Sequence, residues 1–427
     1  MEDKIKSIIT CDLDGKVETF SEGAVKLFGY TKNETIGKMR VSDFSSGEIV
    51  LGHVVNWLKI AVDKGQWEGE TVFLGKDKNE IPCKIKITPT KNKNGEQIGY
   101  CGVTTPLKNK TADEVRPKIS FFTKIFKWMV IMRLPFLSAT FVPIFAGAAV
   151  AATMPGETVS WGWLGLTLLG GAFLHIGTNT SNDYFDYRSG TDALNYNYSN
   201  EGLNGGSRSI QMGLITPRGM LTVAIVTFAL SAAVGVPLVI KAGLPILWLG
   251  LTGFLSGLFY TAPPFKFSSR RGVGEFLIGL NFGPLMVAGS TLVQTGKLPL
   301  EAFLVGIPIG LLIAAVVYIN EFPDHDSDKA TGKNTLIVTL GPERARAGYV
   351  ALISSAFVSI IIMALNDIIP MLSLIALLAI YFGFMATKTL YKYYNDRLLQ
   401  PANWGTIIMH SVTGILLTIG IWLGNSL

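Results

Sequence analysis

Apolar and polar positions are arranged differently in the two parts of this chain. Before residue 108, short runs of alternating apolar and polar residues are separated by turn residues, which is typical of β-strands. After residue 133, apolar stretches long enough to cross a bilayer follow one another to the end. The pattern predicts a soluble α+β domain over 1–108, a linker with an interfacial amphipathic helix over 109–132, and an all-α multi-pass membrane domain over 133–427.

The predicted order in the front domain is β-β, short helices, a longer helix, then β-β-β. "SIITCDLDGKVETF" predicts two strands paired around Asp14-Gly15, a dipeptide that favours tight hairpin turns. With "FSEGAVKLFGY", "KGQWEGE" and the closing "IGYCGVTTPL", this order resembles the PAS sensor family. The resemblance implies binding of a small ligand or a PAS-mediated dimer. Our hypothesis is that the domain regulates the membrane part in cis, and a purely dimerising or scaffolding domain is the alternative.

Nine apolar segments are predicted to span the membrane as helices, because each approaches the length that a bilayer requires. Glycine and proline inside them are compatible with membrane helices. The segments cover residues 134–153, 161–181, 218–238, 243–260, 273–294, 301–320, 346–365, 368–388 and 403–424.

Composition and charge place this domain in a membrane and give it an orientation. Hydrophobic residues make up 49% of the chain and charged residues only 16%, and the mean hydropathy is +0.39. Loops after the even-numbered segments are rich in Lys and Arg, whereas those after the odd-numbered segments hold only Lys241 and Lys297. The positive-inside rule then predicts a plasma-membrane protein with a cytoplasmic front domain and an external C-terminus. This also explains the net charge of +6 without a nucleic-acid partner.

The cysteines agree with a cytoplasmic front domain. Cys11, Cys83 and Cys101 are the only cysteines, and no two have C-x-x-C spacing. This number and spacing of cysteines suits a reducing compartment and argues against a disulfide scaffold or a structural zinc site. The first twenty residues are too polar for a signal peptide.

Acidic residues follow the second predicted span, in "NTSNDYFDYRSGTD" from Asn179 to Asp192. If the helix continues, Asp183 and Asp186 are three residues apart, and Asn182 and Asp186 four apart, so their oxygens share one helix end. The loop after the sixth span repeats the theme in "NEFPDHDSDKATGKNT". There, Asn320, Asp324 and Asp328 are each four apart, although Pro323 could kink or begin that segment.

Two clusters of oxygen ligands on one predicted membrane face indicate a hard divalent cation. Mg²⁺ usually binds through one or two carboxylates together with substrate phosphates. The same face is rich in Arg and Lys, which bind phosphate oxygens directly. A single acidic motif at a helix end is more often a solvated cap, but two on the same side favour a metal–diphosphate site that faces the cytoplasm.

Four motifs in the membrane region carry a resemblance to the UbiA superfamily of intramembrane prenyltransferases. They are "RLPFLSATFVPIFAGAA", "NDYFDYRSGTD", "YTAPPFKFSSRRGVGEFLIGLNFGPLMVAGS" and "NEFPDHDSDKATGKNTL". With "NGGSRSIQMGLITPRGM", they are most similar to the 1,4-dihydroxy-2-naphthoate branch of menaquinone biosynthesis. Glu321-Phe322-Pro323 differs from the commonest lead-in to the second acidic motif, and Asp192 lies further along than the usual third Asp.

The resemblance implies an enzyme that transfers a polyprenyl group from its diphosphate to an aromatic acceptor. Mg²⁺ bound to the acidic motifs would stabilise the leaving diphosphate, and loss of the acceptor's carboxylate would accompany transfer in the naphthoate branch. The implied metal ligands are Asp183, Asp186, Asp324 and Asp328, with Asn182 and Asp192 as additional candidates. Lys266 is an implied catalytic cation, and the implied substrate-binding residues are Asn179, Asn182, Arg133, Arg208, Tyr260, Asn320 and Lys333.

Several roles stay open at this stage. Tyr260 and Phe282 could flank a carbocation, but an interfacial position is equally compatible with Tyr260. We interpret His175 as a buried, hydrogen-bonded packing residue and His325 as a bystander among the acids.

Alternative functions differ in class. Another quinone or phenazine precursor, or a glycerophosphate lipid, could be the acceptor. A PAS-coupled receptor without catalytic activity would leave the acids unexplained, and a transporter would place them in mid-span.

Overall fold

The computed structural model of the chain describes residues 6–190 and 206–424. The chain divides into two compact units. The first comprises Met1–Ile131 together with Ser209–Thr216, and the second comprises Met132–Arg208 together with Pro217–Leu427. No sequence pattern indicated that Ser209–Thr216 belongs to the first unit.

A five-stranded antiparallel sheet is the framework of the first unit. The strands are β1 (Ser7–Asp12), β2 (Val17–Phe20), β3 (Trp67–Leu74), β4 (Glu80–Lys91) and β5 (Gln97–Pro106). Their order in the sheet is β2-β1-β5-β4-β3. Asp14-Gly15 forms the predicted turn between β1 and β2. Gly15 has φ of 80°, and Asp12 Oδ1 accepts hydrogen bonds from the backbone N–H groups of Asp14 and Lys16 at 2.9 and 3.0 Å.

Short helices connect β2 to β3, and local capping explains where they begin and end. The Ser21 side chain accepts a hydrogen bond from Ala24 N, and Gly29 ends that helix in the left-handed conformation. Thr31 and Glu34 form a capping box at the next helix. The helices are Glu22–Phe28, Lys32–Thr35, Gly47–Ile49, and Val55–Lys64, with a π-helical turn at Val50–Val54 between the last two.

The core of the first unit is aromatic. Phe20, Phe28 and Phe44 pack together, with ring centroids 4.8 to 6.4 Å apart, and the Phe73 ring meets Phe28 edge-on at 5.8 Å. Burial of such rings is the main stabilising contribution in a domain of this size.

After β5, the predicted linker contains one short helix, Ala112–Val115, and Val115 is buried in the core of the first unit. The predicted amphipathic helix is present at Phe121–Ile131. Its Phe121 and Phe122 are 72% and 79% exposed. A location of this helix at the membrane interface stays a prediction.

All nine predicted membrane segments are helical in the second unit. The α-helices of this unit are Ser138–Thr153, Trp161–Ser189, Pro217–Ala242, Leu244–Leu258, Val273–Leu280, Met286–Thr295, Leu300–Ala330, Leu336–Leu340, Pro342–Leu365, Ile380–Tyr393 and Gln400–Gly424. Short 3₁₀ segments at Leu134–Leu137 and Met371–Ala379, and a π-helical turn at Asn281–Leu285, extend neighbouring helices.

The predicted count of nine spans is not confirmed. Within residues 6–190 and 206–424, seven helices are long and apolar enough to cross a membrane. Leu244–Leu258 is apolar but shorter, and Trp161–Ser189 is long but is not among the seven. Glycine, threonine and His175 make its first half less apolar, and its second half carries the acidic motif.

The long helix Leu300–Ala330 packs at the centre of the second unit, and small residues allow its close contacts. A Cβ added at Gly306 would overlap the backbone of Pro284 and Gly283, and one at Gly310 would overlap the Gly279 carbonyl oxygen. Small residues at helix crossings let backbones approach within a membrane domain, where dispersion contacts replace the hydrophobic effect.

Candidate active site

A cavity of about 1050 Å³ lies between the helices of the second unit. Most of its wall is apolar, with contributions from Ile144, Leu174 and Phe228. At one end the wall becomes acidic, and Asp183, Asp186, Asp324 and Asp328 all line it. An apolar cavity with a few converging polar groups is the usual form of a small-molecule site.

The first acidic motif lies on the last turns of helix Trp161–Ser189. The helix continues through Asn179, Asn182, Asp183 and Asp186 and ends at Gly190, which is left-handed with φ of 79°. The predicted i, i+3 and i, i+4 relations within this motif are therefore real, and its oxygens share one helix end.

The second acidic motif lies on the last turns of helix Leu300–Ala330. This helix runs through Pro323 without a break, so Asn320, Asp324 and Asp328 occupy consecutive turns of one face. The expected helix start at Pro323 is therefore wrong, and a kink there stays a prediction. Proline is tolerated within membrane helices because neighbouring groups can satisfy the freed carbonyl.

Asp183 is buried and already has two partners. Its Oδ1 lies 2.8 Å from Arg133 Nη2 and accepts a hydrogen bond from Ser207 N at 3.3 Å. Its Oδ2 is buried and has no hydrogen-bond partner. A buried carboxylate oxygen without a partner is costly, so this atom is a candidate metal ligand.

Lys333 connects the two acidic motifs. Its Nζ lies 3.1 Å from Asp186 Oδ1 and 3.8 Å from Asp328 Oδ1. The turn after helix Leu300–Ala330 positions it, since Lys333 N donates to the Asp328 carbonyl oxygen at 2.9 Å. Burial acts to lower the pKa of Lys333, but the charges of Asp186 and Asp328 outweigh it and hold the pKa above its usual value. The side chain is therefore cationic at neutral pH.

Comparison with known families decides the identity of the second unit. The model of the UbiA prenyltransferase family matches residues 140–408, which is more than half of the chain. The chain belongs to the UbiA prenyltransferase family. A PAS domain model matches residues 6–105, so the first unit contains a PAS domain and both resemblances are confirmed.

Three relatives illustrate the similarity of this UbiA chain. It is 27% identical to the 1,4-dihydroxy-2-naphthoate octaprenyltransferase of Bacillus subtilis, over 52% of this chain and 67% of the relative. It is 28% identical to the enzyme of the same name from Escherichia coli, over 65% and 92%. The structure of a UbiA homologue from Archaeoglobus fulgidus bound to GPP and Mg²⁺ is 20% identical, covering 68% of this chain and 99% of that one, with a TM-score of 0.48.

Family membership and the seven apolar helices make the chain an integral membrane prenyltransferase. The enzyme class that the resemblance implied is therefore confirmed. The same match supports a prenyltransferase over the alternative of a membrane receptor without catalytic activity.

Two asparagines at the UbiA site are oriented by partners that sequence reasoning missed. Thr261 Oγ1 donates to Asn182 Oδ1 at 2.9 Å, and Asn403 Nδ2 donates to Asn320 Oδ1 at 2.6 Å. Thr261 follows the predicted site residue Tyr260, but Asn403 comes from the last helix, and no periodicity or motif pointed to it.

A carboxyl pair beside the acidic motifs was also missed as a site feature. Glu321 lines the cavity and hydrogen-bonds to Glu275, whose Oε1 accepts from Leu336 N at 3.3 Å. Glu321 Oε2 is buried without a hydrogen-bond partner. The only signal in the sequence was the unusual Glu321-Phe322-Pro323 lead-in.

The structure brings together most of the predicted site residues. Ten of them line the cavity: Arg133, Asn179, Asn182, Asp183, Asp186, Tyr260, Asn320, Asp324, Asp328 and Lys333. Lys266 is exposed and is not among the lining residues, and neither is Arg208, which follows Ser207 in the chain. Asp192 lies outside the described residues. The roles assigned to all thirteen predicted site residues stay predictions.

The histidines have the surroundings that the sequence indicated. His175 is buried, and its Nδ1 lies 2.7 Å from Thr140 Oγ1. It also lines the cavity and meets the Phe282 ring edge-on, with centroids 5.5 Å apart. His325 Nδ1 lies 2.8 Å from the exposed Asp326, so it turns to a neighbour outside the cavity wall.

Proposed function

We propose that the protein catalyses Mg²⁺-dependent transfer of a polyprenyl group from its diphosphate to 1,4-dihydroxy-2-naphthoate in menaquinone-type quinone biosynthesis. The names of the Bacillus subtilis and Escherichia coli relatives support this acceptor. The observation that carries the proposal is the Lys333 link between Asp186 and Asp328, at 3.1 and 3.8 Å, at the acidic end of an apolar cavity.

The residues present at this end fit Mg²⁺. The donors are carboxylate and amide oxygens, and Asp183 Oδ2 is buried without a partner. Over the part of the chain that the structure describes, no three His, Cys, Asp or Glu residues form a ready-made metal cage. That is expected where substrate phosphates complete the coordination, as is usual for Mg²⁺.

We assign the metal to Asp183, Asp186, Asp324 and Asp328, with Asn182 as an additional oxygen ligand. Mg²⁺ bound there would neutralise charge that develops on the leaving diphosphate. Arg133 and Lys333 are the cationic side chains beside these carboxylates, and we assign them to phosphate oxygens, which both can bind as charged donors.

The apolar wall of the cavity has two tasks in this proposal. It binds the prenyl tail, and it keeps water from the allylic cation that forms when the C–O bond breaks. Tyr260 and Phe282 both line the cavity, and their ring faces are suited to stabilise positive charge on the donor carbon. The acceptor's electron-rich ring carbon then attacks that carbon.

We also propose the orientation of the enzyme. The concentration of Lys and Arg in the loops after even-numbered segments supports a position of the PAS domain and the acidic motifs on the cytoplasmic face of the plasma membrane. The C-terminus then lies outside. Reporter fusions at Leu427 and within 1–108 test this orientation independently of activity.

The deciding experiment incubates membranes that contain the protein with Mg²⁺, a polyprenyl diphosphate and a panel of acceptors. The panel holds 1,4-dihydroxy-2-naphthoate, 4-hydroxybenzoate, a phenazine carboxylate and a glycerophosphate lipid, and products are identified by mass. We expect a prenylated product that has lost CO₂ with the naphthoate alone, and none with Asp183→Ala. If a different acceptor is prenylated, that compound replaces the naphthoate as the assigned acceptor. If no acceptor is prenylated, the proposal is wrong.

A further inference from the structure

The segment Ser209–Thr216 occupies an unusual place in the chain. The residues on either side of it, up to Arg208 and from Pro217, belong to the UbiA unit, whereas the segment itself packs within the unit that contains the PAS domain. Ser209, Ile210 and Leu214 are buried there. Its turn is closed by hydrogen bonds from Gly213 N to the Ile210 carbonyl oxygen and from Leu214 N to the Ser209 carbonyl oxygen, at 3.0 and 2.9 Å.

Gly47 of the PAS domain is the residue that receives this segment. Gly47 lies in the first turn of its helix, so its backbone N–H has no acceptor within that helix. This N–H donates to the Met212 carbonyl oxygen at 2.8 Å. A Cβ added to Gly47 would lie 2.7 Å from both the Met212 carbonyl oxygen and Leu214 Cδ2. Only glycine therefore allows this close approach of the segment.

The residues just before the segment reach the acidic end of the UbiA cavity. Ser207 N donates to Asp183 Oδ1 at 3.3 Å, and the Ser207 side chain also hydrogen-bonds to Asp183. Gly206 lines the cavity. Arg208 alone separates Ser207 from the start of the segment, and consecutive Cα atoms are about 3.8 Å apart. Only two Cα–Cα steps therefore connect Ser209 to the residue that hydrogen-bonds to Asp183.

We propose that Gly47 and Leu214 are positioning residues for the prenyltransferase, and that the PAS domain fixes the Ser207–Asp183 hydrogen bonds by holding Ser209–Thr216. The expected change in enzyme kinetics rests on the proposed function, whereas the structural part of the inference does not. Loss of the Gly47 contact releases Ser207, and Asp183 is then less well oriented toward Mg²⁺ and the diphosphate. KM for the donor then rises because binding is weaker, and kcat falls with it, because the Mg²⁺ that Asp183 would hold also stabilises the leaving diphosphate.

Gly47→Ala in the full-length protein tests the inference, with Gly102→Ala as the matched control. Both glycines lie in the PAS domain, but a Cβ at Gly102 would lie 3.6 Å from Ile85 Cδ1, which is an ordinary contact. We expect amide hydrogen exchange in the peptide covering 206–216 to be roughly tenfold faster in Gly47→Ala, corresponding to about 1.4 kcal/mol. KM for the donor and the half-saturating Mg²⁺ concentration should rise several-fold, and Gly102→Ala should match the wild type in all three.

A second variant guards against misfolding of the PAS domain. Leu214→Ser removes the other half of the contact without altering the PAS sequence, and the same changes are expected from it. Equal exchange in Gly47→Ala, Leu214→Ser and Gly102→Ala would overturn the inference. Faster exchange with an unchanged KM would also overturn it, because the contact would then be structural only. If the wild-type protein forms no product, the proposed function is wrong. The hydrogen-exchange measurement still tests the contact between Gly47 and the segment Ser209–Thr216, because it does not depend on activity.

Discussion

Arg133 Nη2 and Asp183 Oδ1 are 2.8 Å apart, and their side chains are 21% and 6% exposed. The pair joins the residue before the first spanning segment to the first acidic motif. Because removal of one partner leaves the other charge buried and unpaired, such pairs show large coupling. It is therefore a contact whose loss should be visible in stability as well as in activity.

Arg133→Gln should lower the free energy of unfolding by about 3 kcal/mol, the cost typical of an uncompensated buried charge. In an Asp183→Asn background the same substitution should cost much less, because the amide carries no charge to compensate. A double-mutant cycle from denaturant unfolding in detergent measures this. Equal costs in both backgrounds would show that the two groups do not interact energetically.

Asp324→Ala and Asp328→Ala should each reduce kcat/KM by about 100-fold or more, the size of effect seen when electrostatic stabilisation of a transition state is removed. Asp326→Ala is the matched control, since Asp326 lies between them but its side chain is 85% exposed and pairs with His325. Prenyl transfer rates of purified variants at saturating Mg²⁺ provide the comparison. A control as impaired as the two variants would refute the assignment.

Lys333→Met should raise KM for the polyprenyl diphosphate about tenfold, because hydrogen bonds to charged groups contribute roughly 1.5–3 kcal/mol. Lys329→Met, at an exposed position of the same helix end, should have little effect. Since the pKa of Lys333 is held above its usual value by Asp186 and Asp328, the side chain stays charged as pH rises through the neutral range. Between about pH 6 and 9, deprotonation of Lys333 should therefore cause no rise in the wild-type KM for the polyprenyl diphosphate.

Gly306→Ala should destabilise the UbiA unit by about 1–3 kcal/mol, because its Cβ would overlap the backbone of Pro284 and Gly283, which cannot yield as a side chain can. Gly165→Ala is the control, since a Cβ there meets nothing within 4 Å and the position is helical. Thermal unfolding in one detergent compares them. A Tm of Gly306→Ala equal to that of the control would show that the helices can separate without cost.

Cys11 and Cys83 should resist alkylation in the native protein. Burial raises the pKa of both thiols to about 12, so little of the reactive thiolate is present at pH 8. Iodoacetamide labelling followed by peptide mass analysis should modify them only after denaturation. Rapid native labelling of Cys83 would indicate opening of the PAS core and would leave a thiol-based sensing role available.

The sequence by itself determined the two-part organisation, the nature of each part and the positions of the acids. These are properties of local pattern. A bilayer requires continuous apolar runs, Asp14-Gly15 favours a tight hairpin turn, and two acidic motifs that end apolar helices on one predicted face favour a metal site. The spacing of Asn320, Asp324 and Asp328 is likewise a local pattern, so the sequence could predict that they share a helix face. Only the structure decided that the helix continues through Pro323.

Tertiary structure alone decided which groups meet across the chain. Asn403 orients Asn320, and Glu275 pairs with Glu321, through helix packing that no local periodicity encodes. Lys266, the catalytic cation that the resemblance implied, is exposed, whereas Lys333 lies between the two motifs. The close contact between Gly47 and Leu214 was also decided by the tertiary structure. Whether another residue packs against a glycine depends on the folded structure around it and not on the glycine itself.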